Sequence, residues 1–135
     1  MRQLMNLLCE NTYIEVHKSC SDTDIVKDIL WAHQASIELL HAFPQILIID
    51  CTYKTNKYRL PLMEIAGVTS TELTFSFTFA YLKAERKDNF SWCLDSLKSL
   101  MHGWLMPSVI LTDRDSALMN STERIFPFSP HFLCR

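Results

Sequence analysis

The stretch that most constrains this chain is Gln45–Lys57, Q-I-L-I-I-D-C-T-Y-K-T-N-K. Four apolar residues, Ile46 to Ile49, run straight into an acid, Asp50, and a polar, basic segment follows at once. A continuous apolar run of this length reads as a strand buried on both faces. A carboxylate at the end of such a strand sits at the rim of the sheet, where open α/β sheets place their sites.

A second stretch repeats the pattern. Pro107 precedes S-V-I-L-T at Ser108–Thr112, and that short strand ends on Asp113. Between the two lie the strongest periodic signals of the chain. Leu60–Thr69 is apolar and β-branched and reads as a strand, with Pro61 suited to its start. Thr74–Leu82 alternates with period two, Phe75, Phe77, Phe79 and Tyr81 falling on one face. Phe90, Cys93, Leu94, Leu97, Leu100, Met101 and Trp104 then follow helical spacing, with Asp88 or Asn89 as cap and Gly103 as stop. Asp115–Ile125 reads as a further helix, and Phe132–Cys134 as the start of another strand.

Upstream, residues 1–9 have leucines at helical spacing. Thr12–His17 and Asp28–Trp31 read as the two arms of a hairpin. Gln34–Phe43 reads as a helix with Ala35, Leu39 and Ala42/Phe43 near one face and Ile37 and Leu40 beside it, ended by Pro44. The division expected is an N-terminal extension at 1–44 (helix, hairpin, helix) and a partial domain at 45–135.

Composition narrows the function classes. With 135 residues, 48% of them hydrophobic and 21% charged, the chain builds one globular core. Its two glycines provide no phosphate-cradling loop. A net charge of −2 argues against binding nucleic acid by bulk charge. Five dispersed cysteines without C-x-x-C spacing support neither a zinc ribbon nor a redox motif, and read as reduced thiols. No run approaches the ~18 apolar residues of a membrane span.

Three antiparallel strands followed by crossover β-α-β units describe an α/β chain of ribonuclease-H-like topology, in which the strands ending on Asp50 and Asp113 lie side by side and parallel. Their backbones then stand ~4.8 Å apart. Two carboxylates at that spacing repel unless a cation lies between them, and Mg²⁺ favours carboxylates, waters and phosphate. Each aspartate alone also fits a cap or turn role, Asp113 as cap of the following helix. Around Asp50, Lys54, Lys57 and Arg59 alternate with Tyr53 and Tyr58. Cations pair with phosphate oxygens and tyrosines stack on bases; a solvated connection fits the same residues.

D-C-T-Y-K-T-N at Asp50–Asn56, followed by L-P-L-x-E-I-x-G-V-T, resembles the Mutator-like element (MULE) transposase domain of the D-D-E superfamily. The resemblance continues through F-x-W-x-L-D-x-L at Phe90–Leu97, T-D-R-D-x-A-L-M-N at Thr112–Asn120 and H-F-L-C-R at His131–Arg135. Upstream it takes in L-W-A-H-x-x-S-I-E-L-L at Leu30–Leu40. It implies a ribonuclease-H-like fold and an enzyme that cuts DNA at transposon ends and joins them to a target in the nucleus, using Mg²⁺ or Mn²⁺. Asp50 and Asp113 match the first two catalytic aspartates and would hold the metal.

The family pattern runs on to a Trp-His pair and a third acid, a glutamate, which have no counterpart in these residues. Neither Glu85, Asp88 nor Glu123 is a good substitute: Asp88 reads as a helix cap and Glu123 as a surface residue. The expectation is therefore a fragment or domesticated remnant, truncated after the start of the fifth domain strand and inactive alone. The alternative is a non-catalytic DNA- or protein-binding module keeping the fold. An exposed apolar patch around Phe126–Leu133 is expected to favour self-association.

Overall fold

A computed structural model describes residues 4, 7, 13–19, 26–52, 60–101 and 106–133. Within them the chain is α/β, with three helices on a mixed seven-stranded sheet. The strands are β1 (Tyr13–Ser19), β2 (Val26–His33), β3 (Ile46–Thr52), β4 (Leu62–Val68), β5 (Thr74–Tyr81), β6 (Val109–Thr112) and β7 (His131–Leu133). The helices are α1 (Gln34–Ala42), α2 (Lys87–Leu100) and α3 (Ser116–Ile125). Sheet order is β1-β2-β5-β4-β3-β6-β7. β3 and β6 are parallel neighbours, as are β6 and β7; the other pairs are antiparallel.

The expected hairpin pairs Tyr13 with His33, and β2 then adds to β5, so one sheet carries both. The strand and helix assignments from Thr12 onward hold to within a few residues. Leu4 and Leu7, from the expected first helix, are helical; its remaining residues, Gly103 and Trp104 lie outside the described residues.

Register assigns the two faces of the sheet. Leu30, Ala32, Leu47, Ile49, Met63, Ile65, Ala80 and Ile110 point one way, into a single core cluster. Ile37 and Leu40 of α1, Phe90, Cys93, Leu94 and Leu97 of α2, and Leu118 of α3 join that same cluster. The stripe of α1 is thus Ile37/Leu40, while Ala35 and Ala42 are exposed. The helices are also joined by polar contacts. Ser91 Oγ donates to Ser121 Oγ at 3.0 Å, and Ser121 Oγ donates to the Lys87 carbonyl at 3.0 Å. The opposite, open face holds residues that are all partly or fully exposed, Ile29 apart.

β5 departs from its expected alternation. Ile65 pairs with Thr78 but Ala66 pairs with Ser76, so Phe77 is an extra residue, a β-bulge. Phe77 and Thr78 are consecutive and both fully buried. Phe75 and Phe77 therefore face the core, and Phe79 and Tyr81 the open face. Phe75 packs over Gly67, where an added Cβ would lie 2.4 Å from its ring, so any larger residue there would have to displace that ring.

α2 begins earlier than expected, with Arg86 as an N-cap that gives no side-chain capping hydrogen bond. Asp88 is in the first turn, where a carboxylate favours the helix dipole. Asn89 is occupied elsewhere: its Nδ2 donates to both carboxylate oxygens of Asp28, at 3.1 and 3.3 Å. The buried Asp28 also accepts from the Lys83 N–H at 2.8 Å, tying β2 to the entry of α2.

Candidate functional site

The site is built by a register. The Gln45 carbonyl accepts from the Ser108 and Val109 N–H groups at 2.7 and 3.0 Å, which starts the parallel pairing. From there Ile46 faces Val109, and the pairing runs in step to Ile49 opposite Thr112. The next residue on each strand is an aspartate. On its other side Asp50 stays within the ladder, opposite Glu64 of β4.

Asp113 is held by the turn into α3. Its carbonyl accepts from the Asp115 N–H at 2.9 Å, and Asp115 caps α3 by accepting from the Leu118 N–H at 3.0 Å. The cap role open to Asp113 in the sequence thus belongs to Asp115, which leaves the Asp113 carboxyl exposed at the rim.

The two carboxyl groups meet. A hydrogen bond with Asp50 holds the Asp113 carboxyl above its ordinary value, and partial burial and the Asp50 charge push the same way. Two neighbouring carboxylates repel, and a shared proton or a cation relieves that repulsion. The donor set suits one hard divalent ion, with water and phosphate oxygens filling its remaining positions. Among the described residues no third His, Cys, Asp or Glu joins them in a metal-holding group.

Glu64 is the neighbour that sequence reasoning passed over. It lies opposite Asp50 on the open face, and its carboxylate accepts a hydrogen bond from Ser76 Oγ. Its place follows from the β3–β4 register, so aligning the two strands about their connection would have exposed it. Cys51 points the other way, toward the core. Burial pushes its thiol up strongly, and a hydrogen bond with Glu85 and the charges of Glu85, Asp50 and Asp115 add to this, so it is a protonated, unreactive thiol. Glu85 is thus engaged by Cys51, and Glu123 is exposed on α3. Tyr53, Lys54, Lys57 and Arg59 lie outside the described residues.

Next to β6, Phe128 (84% exposed) precedes β7 and Phe132 (55%) lies on it, both exposed as expected for the apolar patch. Phe126 does not belong to it. It is buried beneath Lys98, whose Nζ lies 5.7 Å from the ring centroid and donates to the Ile125 carbonyl at 3.0 Å. Among the described residues no helix is long and apolar enough to cross a membrane.

Comparison with known proteins gives these strands a lineage. The chain is 27% identical to Protein FAR1-RELATED SEQUENCE 5 of Arabidopsis thaliana over 85% of its own length and 14% of that protein's. It is 27% identical to Protein FAR1-RELATED SEQUENCE 6 of the same plant over 81% of itself and 15% of the relative. A match of 27% over 90% of the chain reaches only 3% of the PKS-NRPS hybrid synthetase cheA of Chaetomium globosum. The chain thus spans a small part of the curated relatives it matches. The family model for the MULE transposase domain matches residues 46–135, from the first residue of β3 onward, and the chain belongs to that family.

Proposed function

We propose that the protein is a transposase-derived DNA-binding protein whose Asp50–Asp113 pair takes one Mg²⁺ or Mn²⁺ ion and engages a DNA phosphodiester. The observation that carries this is the register: Asp50 and Asp113 each follow the last paired residues, Ile49 and Thr112, of two parallel neighbouring strands. In this reading residues 45–135 form a ribonuclease-H-like sheet, β5-β4-β3-β6-β7, and residues 1–44 extend it by two strands. DNA is met in the nucleus.

A divalent ion, when bound, supplies Lewis acidity toward a phosphoryl oxygen and lowers the pKa of a coordinated water. Asp50 and Asp113 hold it from the open face. Tyr53, Lys54, Lys57 and Arg59, next along the chain after β3, are the DNA contacts: cations for backbone oxygens, tyrosine for a base. Pre-organising the metal-ion pair of strand cleavage and transfer, ~3.5–4 Å apart, takes a third carboxylate. Asp50 and Asp113 are read as the first two acids of a D-D-E site, and among the described residues they hold one ion rather than two.

The second reading, a non-catalytic DNA- or protein-binding module, is favoured by one observation: among the described residues no third His, Cys, Asp or Glu joins the pair in a metal-holding group. Mn²⁺ titration followed by paramagnetic broadening separates the two. Broadening centred on Asp50 and Asp113, abolished by Asp50→Asn and by Asp113→Asn, with terminal-inverted-repeat DNA left uncut, is the expected result. Diffuse broadening that neither substitution alters would favour the module. Metal-dependent cleavage lost in both variants would show that the pair suffices for catalysis.

A further inference from the structure

Beyond the carboxylates, the open face is aromatic. Register leads from Asp50 to Glu64, then to Phe79, Trp31 and Glu15, in one row across five strands. Strand spacing puts Phe79 about 10 Å and Trp31 about 14 Å from Asp50. Trp31 and Phe79 stack with centroids 6.0 Å apart, and Tyr81 leans on Trp31 at 5.2 Å. One row away His33 and Tyr13 meet edge to face at 4.9 Å. None of these rings belongs to the core cluster, and each is partly exposed.

We infer that this aromatic face takes unpaired bases of a DNA strand whose backbone reaches the Asp50–Asp113 pair. The inference rests on the reading of that pair as a DNA site. Aromatic rings at alternate positions of one strand (Phe79, Tyr81) and on its neighbour (Trp31) form the kind of stacking platform on which open sheets hold single strands. Platform and carboxylate pair share one face and one row, so a single strand spans both.

The flanking charges act on the bases rather than the phosphates. Glu64 and Glu15 bracket the Phe79–Trp31 pair and accept hydrogen bonds only. Cytosine and adenine offer them exocyclic amino groups, and thymine has none. The same carboxylates repel phosphates, so the strand runs along the row with its bases on the rings and its phosphates outward. Salt then weakens binding far less than for a phosphate-driven binder.

Oligonucleotide titration tests this in the whole chain, with Trp92 and Trp104 changed to Phe so that Trp31 alone reports. Oligo(dC) and oligo(dA) should quench Trp31 emission and bind more tightly than oligo(dT). Phe79→Leu should weaken binding by about tenfold. Trp31→Leu, read by anisotropy of a labelled oligonucleotide with near-ultraviolet circular dichroism to confirm folding, should do the same. Titrated without divalent ions, the chain should still bind, which supports the platform whatever becomes of the metal reading, and Leu73→Lys in the exposed β4–β5 turn should leave binding unchanged. Equal affinity for all three oligonucleotides would overturn the role of the carboxylates. Unchanged binding in both ring variants would overturn the platform. So would quenching by a Leu/Lys amphipathic peptide with none by any oligonucleotide, which would make the face a protein dock.

Discussion

At the scale of single residues, the Asp50–Asp113 contact has a consequence for pH. The native fold keeps the Asp113 carboxyl above its ordinary value, so it retains a proton that the unfolded chain has released. Protons then favour the fold, and the metal-free protein should lose this contribution as pH rises above the ordinary carboxylate range. Asp50→Asn removes the neighbouring charge, and its amide donates to Asp113 instead. Carboxyl NMR titration should find Asp113 lowered in that variant, and the acid limb of the melting-temperature profile should flatten. Both aspartates were legible in the sequence because each ends an apolar run and their strands are topologically matched. Glu64 was not, because its nearness to Asp50 exists only once β3 and β4 are aligned. The role of Asp115 was hidden for a similar reason: either acid of T-D-R-D fits a helix cap, and the turn geometry chooses the second.

At the scale of elements, periodicity located strands and helices well and failed where a tertiary contact competes with a local rule. Asn89 is a good cap by type, yet the buried Asp28 claims its amide and α2 begins ahead of it. The alternation of β5 is read correctly on either side of Phe77, but the bulge between Ile65 and Ala66 on the partner strand leaves no trace in the sequence of β5. The Asp28 contacts show how the hairpin is joined to the rest. Its carboxylate serves a backbone N–H and an amide from within the fold. Asp28→Ala would strand both donors and should cost about 2–4 kcal/mol. Denaturant unfolding should show the midpoint falling with the slope unchanged, and Asn89→Ala should fall less, since the Lys83 contact survives.

The whole molecule is a sheet with its described helices on one side. Its class and the β3–β6 adjacency could be read from the order of elements, because parallel neighbours need a crossover and the chain offers one helix for each. The addition of β1 and β2 beyond β5 could not, since two free sheet edges look alike from sequence. At the opposite edge β7 is three residues long and carries Phe132 and Leu133 among the exposed apolar side chains. Among the described residues no strand pairs with its outer side, and an apolar edge of this kind invites pairing with another chain. Sedimentation should detect concentration-dependent association that Phe132→Lys reduces, while a Lys at Leu73, which is exposed in the β4–β5 turn, leaves it unchanged. The bulge in β5 also bears on the molecule entire. Sidedness along a strand is a parity, fixed by counting in twos, and the extra residue at Phe77 reverses it midway. Removing Phe77 would let Thr78 follow Ser76 in plain alternation, keeping Phe79 and Tyr81 outside but taking one phenylalanine from the core. A single added residue thus gives one strand two inventories, phenylalanines for the core on one side of it and rings for the outer surface on the other.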